Sequence, residues 1–285
     1  VKILTAKLLD GKATAAKVRQ KIGGEVADLK AGGKGIPGLA VVIVGENPAS
    51  KVYVRQKEKA CNAVGFNSVL HRLPENTSQE ELLTLVEGMN NDPEINGILV
   101  QLPLPPQINE DSIIKAIKPE KDVDGFHPVN MGKLVTGLPS TQPCTPKGIM
   151  YLLDEYGIEI EGKTAVVLGR SNIVGKPIAH MLMSKNATVT VCHSRTKDIA
   201  EYTRRADIIV AAIGKPRFLT ADMVKDGAVI VDVGINRLEE GLVGDTDFGA
   251  LKEKVSFITP VPGGIGPMTI AMLLLNTLEA FKKGL

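Results

Sequence analysis

Residues 162–177 read GKTAVVLGRSNIVGKP. The apolar run TAVVL carries the chain into Gly169, Ser171 and Gly175, and a helical pattern opens at about Val174. A strand that passes through a small-residue turn into a helix aims backbone N–H groups and the positive end of a helix dipole at a pyrophosphate. The spacing is G-x-S-x-x-x-G rather than G-x-G-x-x-G, so the loop alone is a weak fingerprint, and the other reading is a tight strand-to-helix turn that holds no ligand.

Outward from this loop, strand and helix patterns alternate along the whole chain, the mark of an α/β fold with mainly parallel strands. On the C-terminal side ATVTVCH, DIIVAAIG and AVIVDVG read as strands, with a helix near Ile199 and a short strand at SFIT. On the N-terminal side Val18, Ile22, Val26 and Leu29 follow helical spacing, and GLAVVIVG, NSVLHRL and GILVQL (97–102) read as strands. Ser78 with Glu81 forms a capping box for a helix through Met89. Between the two sets, residues 103–146 crowd prolines and glycines among short apolar pieces, which marks a domain junction. The last segment, PMTIAMLLLNTLEAFKKG, has an apolar face and ends in lysines and glycine, as a helix C-terminus should. It is expected to return to the first lobe, because the second sheet already has its strands.

The net charge is +2 and charged residues make up 23% of the 285, so the chain is not a polycation for nucleic acid or membrane. Three scattered cysteines argue against disulfides, and four histidines without ligand spacing give no metal site. The longest apolar run, LAVVIV, is far short of the roughly 20 residues that span a bilayer. The N-terminal stretch lacks the apolar core of a signal peptide, so a cytoplasmic location is expected.

Several segments carry chemistry. A bound dinucleotide's second-strand position reads CHSRTK (192–197), where Ser194 and Arg195, with Arg170 in the loop, offer donors and positive charge and no acid intrudes. NAD binders place an acid there, so this pattern predicts NADP; the other reading of Arg195 is an ordinary surface arginine. In SKVYVRQKEKAC (50–61), Tyr53 and Lys57 are four apart and share a helix face. That pair suits a flat anionic ligand or a proton carrier, although charged helix faces are usually just solvated. QLPLP (101–105) leaves a strand end at Gln101, DVDGFHP (122–128) sets Asp122 and Asp124 two apart, and TPVPGGIGPMT (259–269) is a stiff small-residue loop.

Taken in order, NPASKVYVRQK, GILVQLPLP, KDVDGFHP, PCTPKG, GRSNIVGKP, CHSRT, DVGINR and TPVPGGIGPMT resemble the bifunctional methylenetetrahydrofolate dehydrogenase/cyclohydrolase family of one-carbon metabolism over nearly the full chain. The resemblance implies an N-terminal α/β catalytic and folate-binding domain, residues 1–144 with a C-terminal helix at 267–285, and a Rossmann-type NADP-binding domain at 145–266. It implies Lys57 as the catalytic lysine, Tyr53 as the ring that stacks on folate, Gln101 as the lysine's partner and Asp124 as the acid that anchors the pterin. Ser50, Pro262, Gly263 and Gly266 match further folate-side positions; Gly169, Arg170, Ser171, Ser194 and Ile235 match NADP contacts, to which the charge pattern adds Arg195. Ile265 stands where the family commonly has valine, and the family implies a homodimer. Two other readings are a two-lobed NADP-dependent dehydrogenase of shikimate or amino-acid type and a folate- or nucleotide-binding protein without catalysis.

Overall fold

We describe residues 5–239 and 241–284 of a computed structural model. Residues 1–4, 240 and 285, which the expected domain ranges include, lie outside the described residues. The chain opens with β1 (Lys7–Leu8), α1 (Gly11–Ala31), β2 (Gly38–Val44), α2 (Pro48–Ala63), β3 (Asn67–Leu73), α3 (Gln79–Asn91) and β4 (Gly97–Val100). Next come α4 (Glu110–Ala116), α5 (Pro128–Val135), α6 (Cys144–Glu155), β5 (Thr164–Leu168), α7 (Gly175–Met183), β6 (Thr188–Cys192), α8 (Ile199–Thr203) and β7 (Ile208–Ala211). The remainder is a 3-10 turn (Ala221–Met223), β8 (Val229–Asp232), β9 (Asn236–Leu238), β10 (Gly241–Val243), α9 (Phe248–Lys252), β11 (Phe257–Ile258) and α10 (Ile265–Lys283).

Two compact α/β units result. The first comprises Ala16–Cys144 with Ile270–Leu285. Its sheet has the order β3-β2-β4, all parallel. All seven β2 residues are buried, as expected of a central parallel strand covered on both faces. The capping box at Ser78 and Glu81 forms as the sequence predicts. The C-terminal helix belongs to this unit from Ile270 onward and meets α1, where Lys282 Nζ donates to Glu25 Oε1 at 2.5 Å.

The second unit comprises Thr145–Thr269 with the N-terminal segment through Ala15. Its parallel sheet runs β1-β11-β8-β7-β5-β6. The chain leaves β5 for β6 on one side and then returns to β7 on the other, so the switch point falls at the C-terminal ends of β5 and β7. Two details differ from the sequence reading. Residues 5–15, assigned by sequence to the first lobe, lie in the second: β1 pairs with β11, and Ala6 is buried in that unit's core. The GILVQL strand ends at Val100, although Gln101 N still donates to Val42 O at 2.8 Å.

Candidate active site

In the first unit, Asn47 caps α2, its side chain accepting from Ala49 N at 3.0 Å and Ser50 N at 3.1 Å, and Pro48 takes a first-turn position that needs no donor. This sets the phase of the helix. Ser50, Val54, Lys57 and Cys61 share its buried face, and Tyr53 lies half-buried beside them. Lys57 is only 8% exposed, and its Nζ donates to Gln101 Oε1 at 3.0 Å. Gln101 is fixed in turn, since its Nε2 donates to Leu102 O at 2.8 Å. The amide oxygen therefore faces the ammonium, an orientation that a freely rotating glutamine would not hold. Burial pushes the Tyr53 phenol above its ordinary pKa, so it stays a neutral ring.

Asp124 stands on the loop after α4. A small, largely apolar cavity lies against it, walled by Ile98, Val100, Leu102, Ile117 and Phe126. Desolvation in this setting raises the Asp124 pKa; the Lys57 ammonium pulls it back, the Asp122 charge raises it further, and a Cys144 hydrogen bond lowers it. Asp122 has a different task. It is 3% exposed and accepts from Gly125 N, Phe126 N, His127 N and Asn130 Nδ2 at 3.0, 3.3, 2.8 and 2.9 Å. Those four bonds fold the loop that presents Asp124.

In the second unit the loop of residues 169–175 sits at the switch point. Gly169 has φ +113°, and a Cβ there would lie 2.2 Å from Ala212 O, so only glycine fits. Ser171 Oγ accepts from Val174 N at 3.2 Å and Gly175 N at 3.3 Å, which closes the turn into α7. After β6, His193 N donates to Thr196 Oγ1 and Thr196 N to His193 O, leaving Ser194 and Arg195 exposed at the tip of a tight turn. Arg170 and Ser171 are exposed as well, and Ile235 is 48% exposed just beyond β8. A glycine cradle at the switch point and a basic, acid-free turn after the second strand fit a dinucleotide that bears a 2'-phosphate. Pro262 and Gly263 lie on the loop before α10, and Gly266 is in its first turn. Next to them in the chain, Pro260 and Val261 help line a cavity of about 370 Å³ with Arg217, Thr246 and Phe248.

Sequence reasoning missed one buried polar network in this unit. Asp232 accepts from Gly234 N, Asp245 N, Thr246 N and Thr246 Oγ1, while Asp245 accepts from Ile213 N, Gly214 N and Asn236 Nδ2. The two glycines are reciprocal: a Cβ at Gly234 would strike the Asp245 carboxylate, and one at Gly244 the Asp232 carboxylate. Burial raises the Asp232 pKa against the bonds it receives from Thr246, Asp245 and Gly234. The network ties the ends of β7 and β8 to the β9-β10 hairpin. Its sequence signal was the pairing of Asp-x-Gly at 232–234 with Gly-Asp at 244–245.

The catalytic-domain profile of the tetrahydrofolate dehydrogenase/cyclohydrolase family matches residues 9–124, and the NAD(P)-binding-domain profile of the same family matches residues 143–285. A bifunctional protein FolD from Moorella thermoacetica is 59% identical over 281 residues, covering 98% of this chain and 100% of the relative. The crystal structure of the bifunctional FolD dehydrogenase/cyclohydrolase from Campylobacter jejuni aligns with TM-score 0.96 at 53% identity, over 98% of this chain and 100% of that one. The Trypanosoma brucei enzyme, crystallised with NADP cofactor and inhibitor, aligns with TM-score 0.94 at 43% identity over 98% of both chains.

Proposed function

The chain belongs to the tetrahydrofolate dehydrogenase/cyclohydrolase family, and from that premise we propose that it oxidises 5,10-methylenetetrahydrofolate to 5,10-methenyltetrahydrofolate with NADP and hydrolyses the product to 10-formyltetrahydrofolate. Membership sets aside the shikimate-type reading, and the intact Lys57–Gln101 pair speaks against a protein that only binds.

The oxidation asks little of acid or base. Departure of hydride from the methylene carbon leaves a cation stabilised by the adjacent nitrogen lone pairs, so the protein's task is positioning. NADP, when bound, accepts that hydride. Gly169, Arg170, Ser171, Ser194, Arg195 and Ile235 are the residues that would hold it, Arg195 and Ser194 meeting the 2'-phosphate. Arg195→Asp is expected to raise the NADP KM by about tenfold or more and to narrow the preference over NAD, measured by steady-state kinetics with both cofactors.

Hydrolysis needs proton handling. Water adds to the methenyl carbon and loses one proton; the carbon–nitrogen bond then opens as the hydroxyl becomes the formyl carbonyl and releases its proton to solvent, and the leaving ring nitrogen gains one proton. Lys57, held by Gln101, serves both transfers in turn: as the free amine it takes the proton from water, and as the resulting ammonium it gives that proton to the ring nitrogen. Tyr53 stacks on the folate, Asp124 accepts N–H bonds from the pterin, and Ser50, Pro262, Gly263 and Gly266 line the folate. The observation that carries this reading is the buried Lys57 ammonium held on Gln101 Oε1 at 3.0 Å. Lys57→Met should lower cyclohydrolase activity by about 10²- to 10⁴-fold while dehydrogenase activity survives at least in part, followed through methenyl and NADPH absorbance together. Equal retention of both activities refutes the role.

The assembly is read as a homodimer on the family resemblance, and sedimentation equilibrium should return twice the 30.4 kDa chain mass. Among the described residues no helix is long and apolar enough to cross a membrane; the location is read as cytoplasmic, and cell fractionation tests it.

A further inference from the structure

Asn276, on α10, is 1% exposed, and its side chain reaches segments far back in the chain. Nδ2 donates to Val123 O at 2.9 Å and to Gln142 O at 3.0 Å, and lies 3.5 Å from Cys144 Sγ. Cys144 repeats the grip, with Sγ donating to Val123 O at 3.2 Å and its backbone N to Asp124 O at 3.3 Å. The carbonyls on both sides of the Asp124 Cα are thus held, while Asp122 collects the next three backbone N–H groups. At Gly125 a Cβ would stand 2.6 Å from the Gln142–Pro143 peptide, so the two strands of chain are in contact along this line. An amide is the side chain that serves two carbonyls at once; a carboxylate would oppose both and an aliphatic group would leave both without this donor.

We propose that Asn276 is a positioning residue for substrate: from the C-terminal helix it fixes the backbone that carries Asp124 and thereby sets where the pterin is held. The proposal rests on the reading of Asp124 as the pterin anchor. The conformation of Asp124 is not dictated by its own loop alone, since the Asn276 bonds span 153 and 134 residues of sequence. A small displacement of a binding group is costly in turn, since sites hold their ligands within fractions of an ångström.

The test is a double-mutant cycle on the full chain, with folate and NADP KM, kcat for both activities and a melting curve for each variant. Asn276→Leu, of similar volume but without donors, should raise the folate KM by about tenfold and leave the NADP KM within about twofold. In the Asp124→Ala background the same substitution should have no further effect on folate KM. Asn276→Ser keeps one donor and should give an intermediate KM; should Asn276→Leu fail to fold, the serine variant in both backgrounds carries the test. A merely structural residue would lower kcat of both activities together, through a smaller folded fraction, with folate KM unmoved; that result overturns the proposal. Additive effects with Asp124→Ala overturn it as well and leave Asp124's role standing. If Asp124→Ala by itself leaves folate KM unchanged, the anchor reading fails and this inference fails with it.

Discussion

At Asp124, stability and binding pull against each other. Its folded pKa is raised, chiefly by desolvation, so ionisation is harder in the folded chain than in the unfolded one. The sign follows from linkage: the folded state holds the proton longer, so this group's contribution to stability is full below the ordinary value of about 3.9 and is lost as pH rises through the raised pKa. An anchor that accepts pterin N–H bonds needs the opposite, the bare carboxylate. Folate affinity should therefore fall on acidification at a pH above the ordinary carboxylate range, seen as a rising folate KM. Asp124→Asn should remove that acid limb, weaken binding by about 1.5–3 kcal/mol and raise the ligand-free Tm at neutral pH. A Tm that drops would show that the carboxylate is better solvated than its surroundings imply. The thiol of Cys61, one turn beyond Lys57, illustrates the same cost of burial: its pKa is pushed up to about 11, chiefly by desolvation. At pH 8 it should be silent to iodoacetamide in the native protein and react after denaturation, read by mass spectrometry.

Elements show which signals in the chain are local and which are not. The capping box at Ser78 and the strand–turn–helix at 164–183 were legible because their partners lie within a few residues. Helices α4, α5 and α6 were not: they fall in or run out of the stretch read as a proline-rich junction. Pro128 takes the first turn of α5 and Pro146 lies in the opening turn of α6, where a missing N–H costs nothing, so prolines that look like breakers are helix starts. Strand β1 has two residues and a partner some 250 positions on, which no local pattern reveals. Among the site residues, spacing joined Tyr53 to Lys57, whereas the chemistry of Gln101 offered a lysine or a heterocycle as its partner and the family resemblance chose Lys57, because that contact spans 44 residues. The nucleotide loop gives the element-scale prediction. Gly169→Ala forces a Cβ against Ala212 O, and relief means shifting the β5–α7 turn at a cost of about 1–3 kcal/mol. NADP binding, followed by fluorescence titration, should weaken by tenfold or more, while hydrolysis of supplied methenyltetrahydrofolate, which consumes no NADP, should continue.

For the whole molecule, each unit has its own buried cluster, one around Val166, Ile209 and Ile230 and the other around Val42, Ile98 and Val86. The chain passes between the units inside helices at each of three boundaries: α1 includes 15–16, α6 includes 144–145 and α10 includes 269–270. Separate cores favour separate openings, whereas a continuous helix backbone couples them. NADP distinguishes these effects because the residues proposed to hold it all lie in one unit. At 100 times its Kd the cofactor adds about 2.7 kcal/mol to every opening that destroys its site and nothing to openings that leave the site intact. Hydrogen exchange should therefore slow in β5, β6 and β7 by up to about 100-fold, while β2, β3 and β4 keep their rates wherever they open through the first unit alone. An equal gain in both sheets would mean that the core strands exchange only when the whole chain unfolds, with the three helices that run through the boundaries enforcing one cooperative transition.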